Sequence, residues 1–203
     1  MLLRNHIPVA KNRLSLLKAT LLLLMISLLA CDRSQTPKPA GYMRIDTPPK
    51  AYMVYDDQPF YRFEIPVYSR VERDSLRRME PGWINVAVPG LNGKIHLSYK
   101  PISDNLATYI TDCRRLAYKH TVKADGIEET PFVHRQQNRF GMIYDLSGNV
   151  ASGVQFFVTD STTHFLRGSL YFNCPPNQDS LKPLVDFLRE DIIHLIETTE
   201  WKY

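Results

Sequence analysis

The chain has 203 residues and a formal charge of +4, from 25 Lys and Arg against 21 Asp and Glu. Four of the basic residues and none of the acidic ones precede Cys31, which leaves 21 charges of each sign in the remainder. This balance excludes the basic surface of a nucleic-acid-binding protein and the polybasic patch of a peripheral membrane protein. The composition, 44% hydrophobic with 11 Tyr and 9 Phe, is sufficient for one globular core.

Residues 1–30 have the pattern of a bacterial lipoprotein signal peptide. A basic segment precedes 12 mostly apolar residues, Ala19 to Ala30, a run too short to span a membrane. Cys31 follows directly, so its thiol is the expected site of lipid attachment and the N-terminus of the mature protein. An ordinary signal peptide followed by a chance cysteine is the alternative. Several acyl chains, such as palmitate, on Cys31 would give stable membrane anchoring.

Residues 31–59 are expected to form a lipid-anchored arm, followed by a single domain over residues 60–203. The arm contains five prolines, which favour extended backbone. It also carries aromatic and aliphatic residues that a simple spacer lacks, and these either lie on the domain or bind a partner. The arm residues considered as partner-binding candidates are Tyr42, Arg44, Tyr52 and Tyr55.

The first half of the domain reads as three strands and a helix. Alternating apolar and charged residues from Phe60 to Pro66 predict a half-buried strand, and the charged stretch Ser69 to Arg78 is expected to be exposed. Strands are then predicted at Trp83–Val88 and Lys94–Tyr99, joined by a Pro- and Gly-containing turn. A helix follows, with Leu106, Ile110, Cys113 and Ala117 on its apolar stripe.

The second half reads as a three-stranded meander followed by a long helix. The strands are predicted at Arg139–Leu146, Val150–Thr159 and His164–Phe172, and the helix from Asp179 or Ser180 to about Thr199. This order of elements predicts an α+β fold with helices packed on an antiparallel sheet. It also resembles the Mog1/PsbP-type α/β/α sandwich, a likeness of fold only.

Three clusters of polar residues are candidate sites of chemistry. Glu190, His194 and Glu197 have the helical spacing of a metal site but lie opposite the apolar face, so a solvated surface is favoured. His120 with Lys119 and Asp125 is favoured as a half-buried histidine. Asp160, Ser161 and His164 are favoured as turn residues, because Asp and Ser side chains bond the local backbone.

Arg167 is a further candidate for partner binding, at an exposed sheet position. It could alternatively form a structural pair with Asp160 or Asp145. No cofactor, metal or catalytic residue is expected from the sequence. A disulfide between Cys113 and Cys174 is permitted in an exported protein and remains open.

Several long runs of the chain resemble one known family. They are Gly41-Tyr42-Met43-Arg44-Ile45-Asp46, Ile95-His96-Leu97-Ser98-Tyr99-Lys100-Pro101, Gly153-Val154-Gln155-Phe156-Phe157-Val158-Thr159-Asp160-Ser161 and Arg189-Glu190-Asp191-Ile192-Ile193-His194-Leu195-Ile196-Glu197. Together they resemble the gliding-motility lipoproteins of the GldD type over nearly the whole mature chain.

The resemblance implies a non-enzymatic lipoprotein of the cell envelope, most simply in the outer membrane facing the periplasm. It implies a role in gliding motility and the linked type IX secretion machinery, through contacts with other motility or secretion lipoproteins. The membrane is a partner through the lipid on Cys31, and nucleic acid is not.

Two classes of function therefore remain open. One is a non-catalytic scaffold or stabilising partner, and the other is a lipoprotein that binds a lipid or small molecule, or a cryptic hydrolase. Clustering of His96, His120, Asp125 and His164 around one cavity would favour the second class. Scattered positions would favour the first.

Overall fold

The computed structural model describes residues 18–22, 45–72, 80–119 and 123–203. The chain divides into two units, Met1–Gly41 and Tyr42–Tyr203. Of the first unit, residues 18–22 are described and are helical. All described strands, and the two longer helices, belong to the second unit.

The described part of the second unit contains ten strands and two α-helices. The elements in chain order are β1 (Tyr52–Tyr55), β2 (Tyr61–Pro66), β3 (Arg70–Glu72), β4 (Ile84–Val88), β5 (Gly93–Pro101), α1 (Leu106–Tyr118), β6 (Ala124–His134), β7 (Arg139–Gly148), β8 (Val154–Thr159), β9 (His164–Phe172), α2 (Gln178–Thr198) and β10 (Glu200–Trp201).

The strands form two antiparallel sheets. The larger has seven strands in the order β3-β4-β5-β9-β8-β7-β6, and the smaller has the order β1-β2-β10. Short turns join β4 to β5, β6 to β7, β7 to β8 and β8 to β9, and Asn92 takes a left-handed φ of 54° in the turn between β4 and β5. In the register of β8 and β9, Phe156 lies opposite Gly168, where a Cβ would come within 2.1 Å of the Phe156 ring.

The two faces of the large sheet carry two separate cores. Successive side chains of a strand point to opposite faces, so Phe156 of β8 joins one core and Phe157 the other. The first core packs α2 and β2 against the sheet, with Leu188 and Ile192 fully buried. The second core packs α1 against the opposite face, with Cys113 and Ala117 buried.

The predicted α+β class with an antiparallel sheet is confirmed. The predicted hairpin, meander and both helices are present, while β6 was not predicted. β1 falls inside the segment assigned to the arm, and β3 falls inside the charged stretch at Ser69 to Arg78. Folded structure in the second unit thus begins earlier than Phe60, because β1 pairs with β2 from Tyr52 onwards.

Candidate functional site

Several sequence-predicted residues lie outside the described part of the chain. These are the proposed lipid-attachment residue Cys31, two of the candidate partner-binding residues, Tyr42 and Arg44, and His120. The structure places the remaining candidates, Tyr52, Tyr55 and Arg167. All three make contacts inside the folded domain.

Asp191 in α2 is a buried carboxylate whose partners lie just before β1, in β1 and just after β2. Its Oδ1 accepts hydrogen bonds from Lys50 Nζ at 2.6 Å and from Tyr52 Oη at 3.0 Å. Its Oδ2 accepts a hydrogen bond from Tyr68 Oη at 2.6 Å. A buried carboxylate is tolerated when a counter-charge and donors replace water in this way. We refer to Lys50, Tyr52, Tyr68 and Asp191 as the Asp191 clamp.

The clamp holds Lys50 and Tyr52 against α2 on more than one side. Lys50 Nζ also donates to the Phe187 carbonyl at 2.6 Å and lies 3.5 Å from the centroid of the Phe187 ring. The Tyr52 ring stacks on His194 with centroids 3.6 Å apart. Burial, reinforced by the hydrogen bond to Asp191, raises the pKa of Tyr52 to about 12. Tyr52 is therefore part of the packed domain.

Glu190, His194 and Glu197 were predicted to form a solvated surface of the last helix. Two of the three, Glu190 and His194, contact side chains outside α2. His194 Nε2 lies 2.6 Å from Glu64 Oε2, and Glu190 lies 3.7 Å from Lys50 Nζ. These contacts join α2 to β2 and to the segment before β1. Among the described residues, no group of three or more His, Cys, Asp or Glu side chains could hold a metal ion.

Tyr55 and Arg167 are both half-buried. The Tyr55 ring lies 5.7 Å from that of Phe63, and its hydroxyl accepts a hydrogen bond from Gln58 Nε2. Arg167 Nη2 donates to Gln155 Oε1 at 2.7 Å, across the β8–β9 pair. Asp145 and Asp160, the two alternative partners of Arg167, instead accept hydrogen bonds from Arg189 and from backbone N–H groups of the β8–β9 turn.

Asp160 and His164 organise the turn between β8 and β9, as the sequence predicts. Asp160 Oδ1 accepts hydrogen bonds from the backbone N–H groups of Thr162, Thr163 and His164 at 2.8 to 3.0 Å. Burial opposes ionisation of Asp160, but these hydrogen bonds outweigh it and lower its pKa. His164 is buried against the Tyr99 hydroxyl, which lies 2.9 Å from Nδ1, and stacks on Trp201.

His96, Asp125 and His164, whose clustering would have indicated a ligand site, lie in different surroundings. His96 is exposed and contacts Tyr171 edge-on, whereas His164 is buried beside Tyr99. Asp125 is exposed in β6. His96, Asp125 and His164 therefore do not cluster around one cavity, and His120, the fourth residue of the expected cluster, lies outside the described residues. Cys113 and Cys174 are both free, the first buried and the second exposed.

A cavity of about 500 Å³ lies between α2 and the β6–β7 pair. Its apolar lining includes Leu146, Val150, Leu181 and Val185. Two ion pairs border it: Arg189 donates to both oxygens of Asp145 at 2.7 and 2.8 Å, and Lys182 binds Asp186 at 2.7 Å. This cavity was not predictable, because part of its lining comes from the unpredicted strand β6.

Comparison with known proteins identifies a family that matches most of the chain. The model of a family described as gliding motility lipoprotein GldD matches residues 32–201. No curated protein matches the chain. The chain is similar to the solution structure of cyanobacterial PsbP (CyanoP) from Synechocystis sp. PCC 6803, with 10% identity and a TM-score of 0.47. That alignment covers 81% of this chain and 99% of the other.

Proposed function

Because the chain belongs to the gliding motility lipoprotein GldD family, we propose that its folded domain is a non-catalytic scaffold anchored by lipid on Cys31. The scaffold stabilises neighbouring motility lipoproteins and supports the associated type IX secretion machinery. The anchor lies in the outer membrane, and the domain faces the periplasm. Family membership itself places the protein in the cell envelope with a role in gliding.

The observation that carries this proposal is the Asp191 clamp. It fixes Lys50 and Tyr52, near the start of the described part of the second unit, and Tyr68 to the longest described helix through a buried charge pair and two tyrosine hydroxyls. A scaffold needs an ordered domain in order to present a defined surface to its neighbour. The clamp supports such a domain, because it holds the chain against α2 from Lys50 onwards.

The means of membrane attachment is part of the same proposal. No helix in residues 18–22, 45–72, 80–119 or 123–203 is long and apolar enough to cross a membrane. Acyl chains contribute about 0.8 kcal/mol per buried methylene, so two or more chains hold a protein stably. We propose that acyl chains on Cys31, which directly follows the apolar run Ala19 to Ala30, attach the protein to the membrane.

Replacement of Cys31 tests the proposal, with another cysteine as the control. The C31S variant is expected to leave the membrane fraction and to abolish gliding, while its domain stays folded. The C174S variant removes the exposed free cysteine and is expected to change neither property. Normal gliding of cells that hold only soluble C31S protein would contradict the anchored scaffold.

The cavity between α2 and the β6–β7 pair favours a second candidate function, the binding of a lipid or small molecule. Its volume falls within the roughly 300–1,000 Å³ of known ligand sites. In that case native mass spectrometry of the purified protein would show a bound small molecule. An L181W variant, which narrows the cavity, would lose it. The scaffold proposal expects no small molecule in either sample.

A further inference from the structure

Strand β6 forms one edge of the seven-stranded sheet. Its neighbour in the sheet is β7, and no other described strand pairs with it. Asp125, Gly126 and Glu128 are exposed along it. At 11 residues it is long for an edge strand. Such an edge presents backbone N–H and C=O groups that an added strand can pair with.

The open part of this edge is short and well bounded. The register of β6 with β7 shifts between Ala124 and Gly126, and Pro131 lacks a backbone N–H. Bulges and prolines are the usual means by which proteins block edge pairing. Between these two blocks, residues 126–130 pair regularly with β7 and carry neither device. That length suits the addition of one short strand.

The open stretch is held in place from the α1 side of the sheet. Glu129 Oε1 accepts hydrogen bonds from Tyr118 Oη at 2.7 Å and from Arg114 Nε at 3.1 Å. The Tyr118 hydrogen bond, opposed by burial and reinforced by Arg114, lowers the pKa of Glu129. A strand that is already ordered loses less conformational entropy when it binds a partner.

The cavity between α2 and the β6–β7 pair opens beside the same stretch. Residues 126–128 contribute to its lining, and Glu128 lies across from Asp145, which binds Arg189 of α2. A strand added to β6 would direct every second side chain to this side of the sheet. One such side chain would therefore enter the apolar cavity between Leu181 and Val185.

The charges around the cavity favour a basic group on the occupant. Asp145 is paired with Arg189, and Asp186 is paired with Lys182. Glu128, which also lines the cavity, is exposed and forms no ion pair with any described residue. The lining therefore carries three carboxylates against two cations, an excess of one negative charge.

We propose that residues 126–130 and the adjoining cavity, together called the edge groove, bind an extended segment of a partner protein by strand addition. An apolar side chain of that segment fills the cavity, and a Lys or Arg lies opposite Glu128. Strand addition of this kind obtains affinity from backbone hydrogen bonds and specificity from alternate side chains. The inference rests on the proposed scaffold function and identifies the surface through which the scaffold contacts its neighbour.

Photo-crosslinking in gliding cells tests the position of the surface. A photoreactive amino acid replaces Glu128 in the full-length protein. As a control it replaces Val67, which is 51% exposed in the turn after β2. We expect a specific adduct from position 128, joined to one short segment of another envelope protein, and none from position 67. Adducts from position 128 only to a second copy of this chain, or to its own residues 32–44, would overturn the inference.

A synthetic peptide of the crosslinked segment tests the mode of binding. Two N-methylated peptides are compared, one modified at its odd-numbered and the other at its even-numbered residues. Only the N–H groups on one edge of the bound strand face β6, so one peptide is expected to bind the purified protein at least tenfold more weakly and the other nearly as well as the unmodified peptide. The exposed substitution E128K should weaken binding of the unmodified peptide, and L181R should do so by closing the cavity. V67K should have no effect. Equal weakening of binding by the two N-methylated peptides would overturn strand addition.

The outcome separates this inference from the proposed function. If adducts to a neighbour arise from other exposed positions while position 128 gives none, the edge groove is wrong and the scaffold stands. If no exposed position yields a protein adduct in gliding cells, the scaffold itself is contradicted, and the edge groove with it.

Discussion

At the scale of single residues, Asp191 is the most consequential polar side chain. Its carboxylate is inaccessible to solvent, whereas Lys50 retains a quarter of its side-chain exposure. A charge pair in such a position adds little net stability over a hydrophobic replacement, but removal of one partner leaves the other unsatisfied. The main effect of the Lys50–Asp191 pair is therefore to fix the position of the segment before β1. Its net contribution to the stability of the core is small.

The D191A substitution is expected to lower the free energy of unfolding by about 3 kcal/mol, because Lys50, Tyr52 and Tyr68 each lose a hydrogen-bond acceptor. Urea denaturation followed by circular dichroism measures the change. D186A, on the same helix, breaks the exposed pair with Lys182 and should cost less than about 1 kcal/mol. Similar losses in the two variants would show that Asp191 has no special role.

His164 is expected to make the fold sensitive to mild acid. Burial lowers its pKa below the ordinary 6.5, although Asp160 opposes this effect. The unfolded chain thus binds a proton more readily than the folded domain. The stability that His164 contributes is present above about pH 6.5 and is lost as the pH falls toward its folded pKa.

The measurement is the free energy of unfolding in urea between pH 7 and pH 5. The slope due to His164 is at most about 1.4 kcal/mol per pH unit. In H164Q this part of the slope should disappear, whereas H96Q, at an exposed position, should retain it. An unchanged slope in H164Q would assign the acid sensitivity to other groups.

At the scale of elements, β1 and the residues directly before it belong to the packed domain, although the sequence assigned them to the arm. β1 pairs with β2 through four residue pairs, its first residue is the clamp residue Tyr52, and the clamp residue Lys50 precedes it. Deletion of residues 45–59 is therefore expected to destabilise the domain strongly, since it removes a strand and two of the three hydrogen-bond partners of Asp191. Thermal unfolding monitored by circular dichroism measures this effect.

A second deletion provides the control. Removal of residues 33–40, from the Pro-rich sequence that follows Cys31, is expected to leave the melting temperature nearly unchanged. Equal melting temperatures of the wild-type protein and the 45–59 deletion would show that β1 and the clamp do not contribute to folding.

The elements that were predictable are those with local signals. The meander from β7 to β9 has alternating apolar residues and short polar turns, and α2 has a 3.6-residue apolar repeat. Strand β6 lacked such a signal, because Gly126 and Pro131 interrupt it and its side chains are mostly half-buried or exposed. An edge strand tolerates both residues, since one side of its backbone needs no partner.

At the scale of the whole molecule, the fold class and family were predictable, whereas the clamp and the edge groove were not. Lys50 and Asp191 are 141 residues apart in sequence. Neither residue type nor spacing indicates that they meet, because the contact depends on how α2 crosses the small sheet. The described histidine and aspartate candidates stand out by residue type alone, and the structure assigns Asp160 and His164 to a turn.

The proposed function of the whole protein combines attachment to a membrane with binding of a neighbouring protein. In the proposed function, lipid on Cys31 holds the protein at the membrane and the edge groove is the surface for a neighbour, while the clamp orders the start of the domain. The proposed scaffold has no catalytic step, so under this proposal the amount of correctly anchored protein, rather than a turnover rate, limits gliding. Titration of expression from an inducible promoter is expected to change the fraction of gliding cells in proportion to the membrane-bound protein. Full gliding at trace levels would indicate catalysis.

The most direct test is in-cell photo-crosslinking from several exposed positions, performed in parallel on the wild-type background and on C31S. The account predicts discrete adducts to a neighbouring envelope protein in gliding cells, and their loss when the lipid attachment site is removed. Undiminished adducts in soluble C31S protein, or no protein adducts in cells that glide normally, would contradict it.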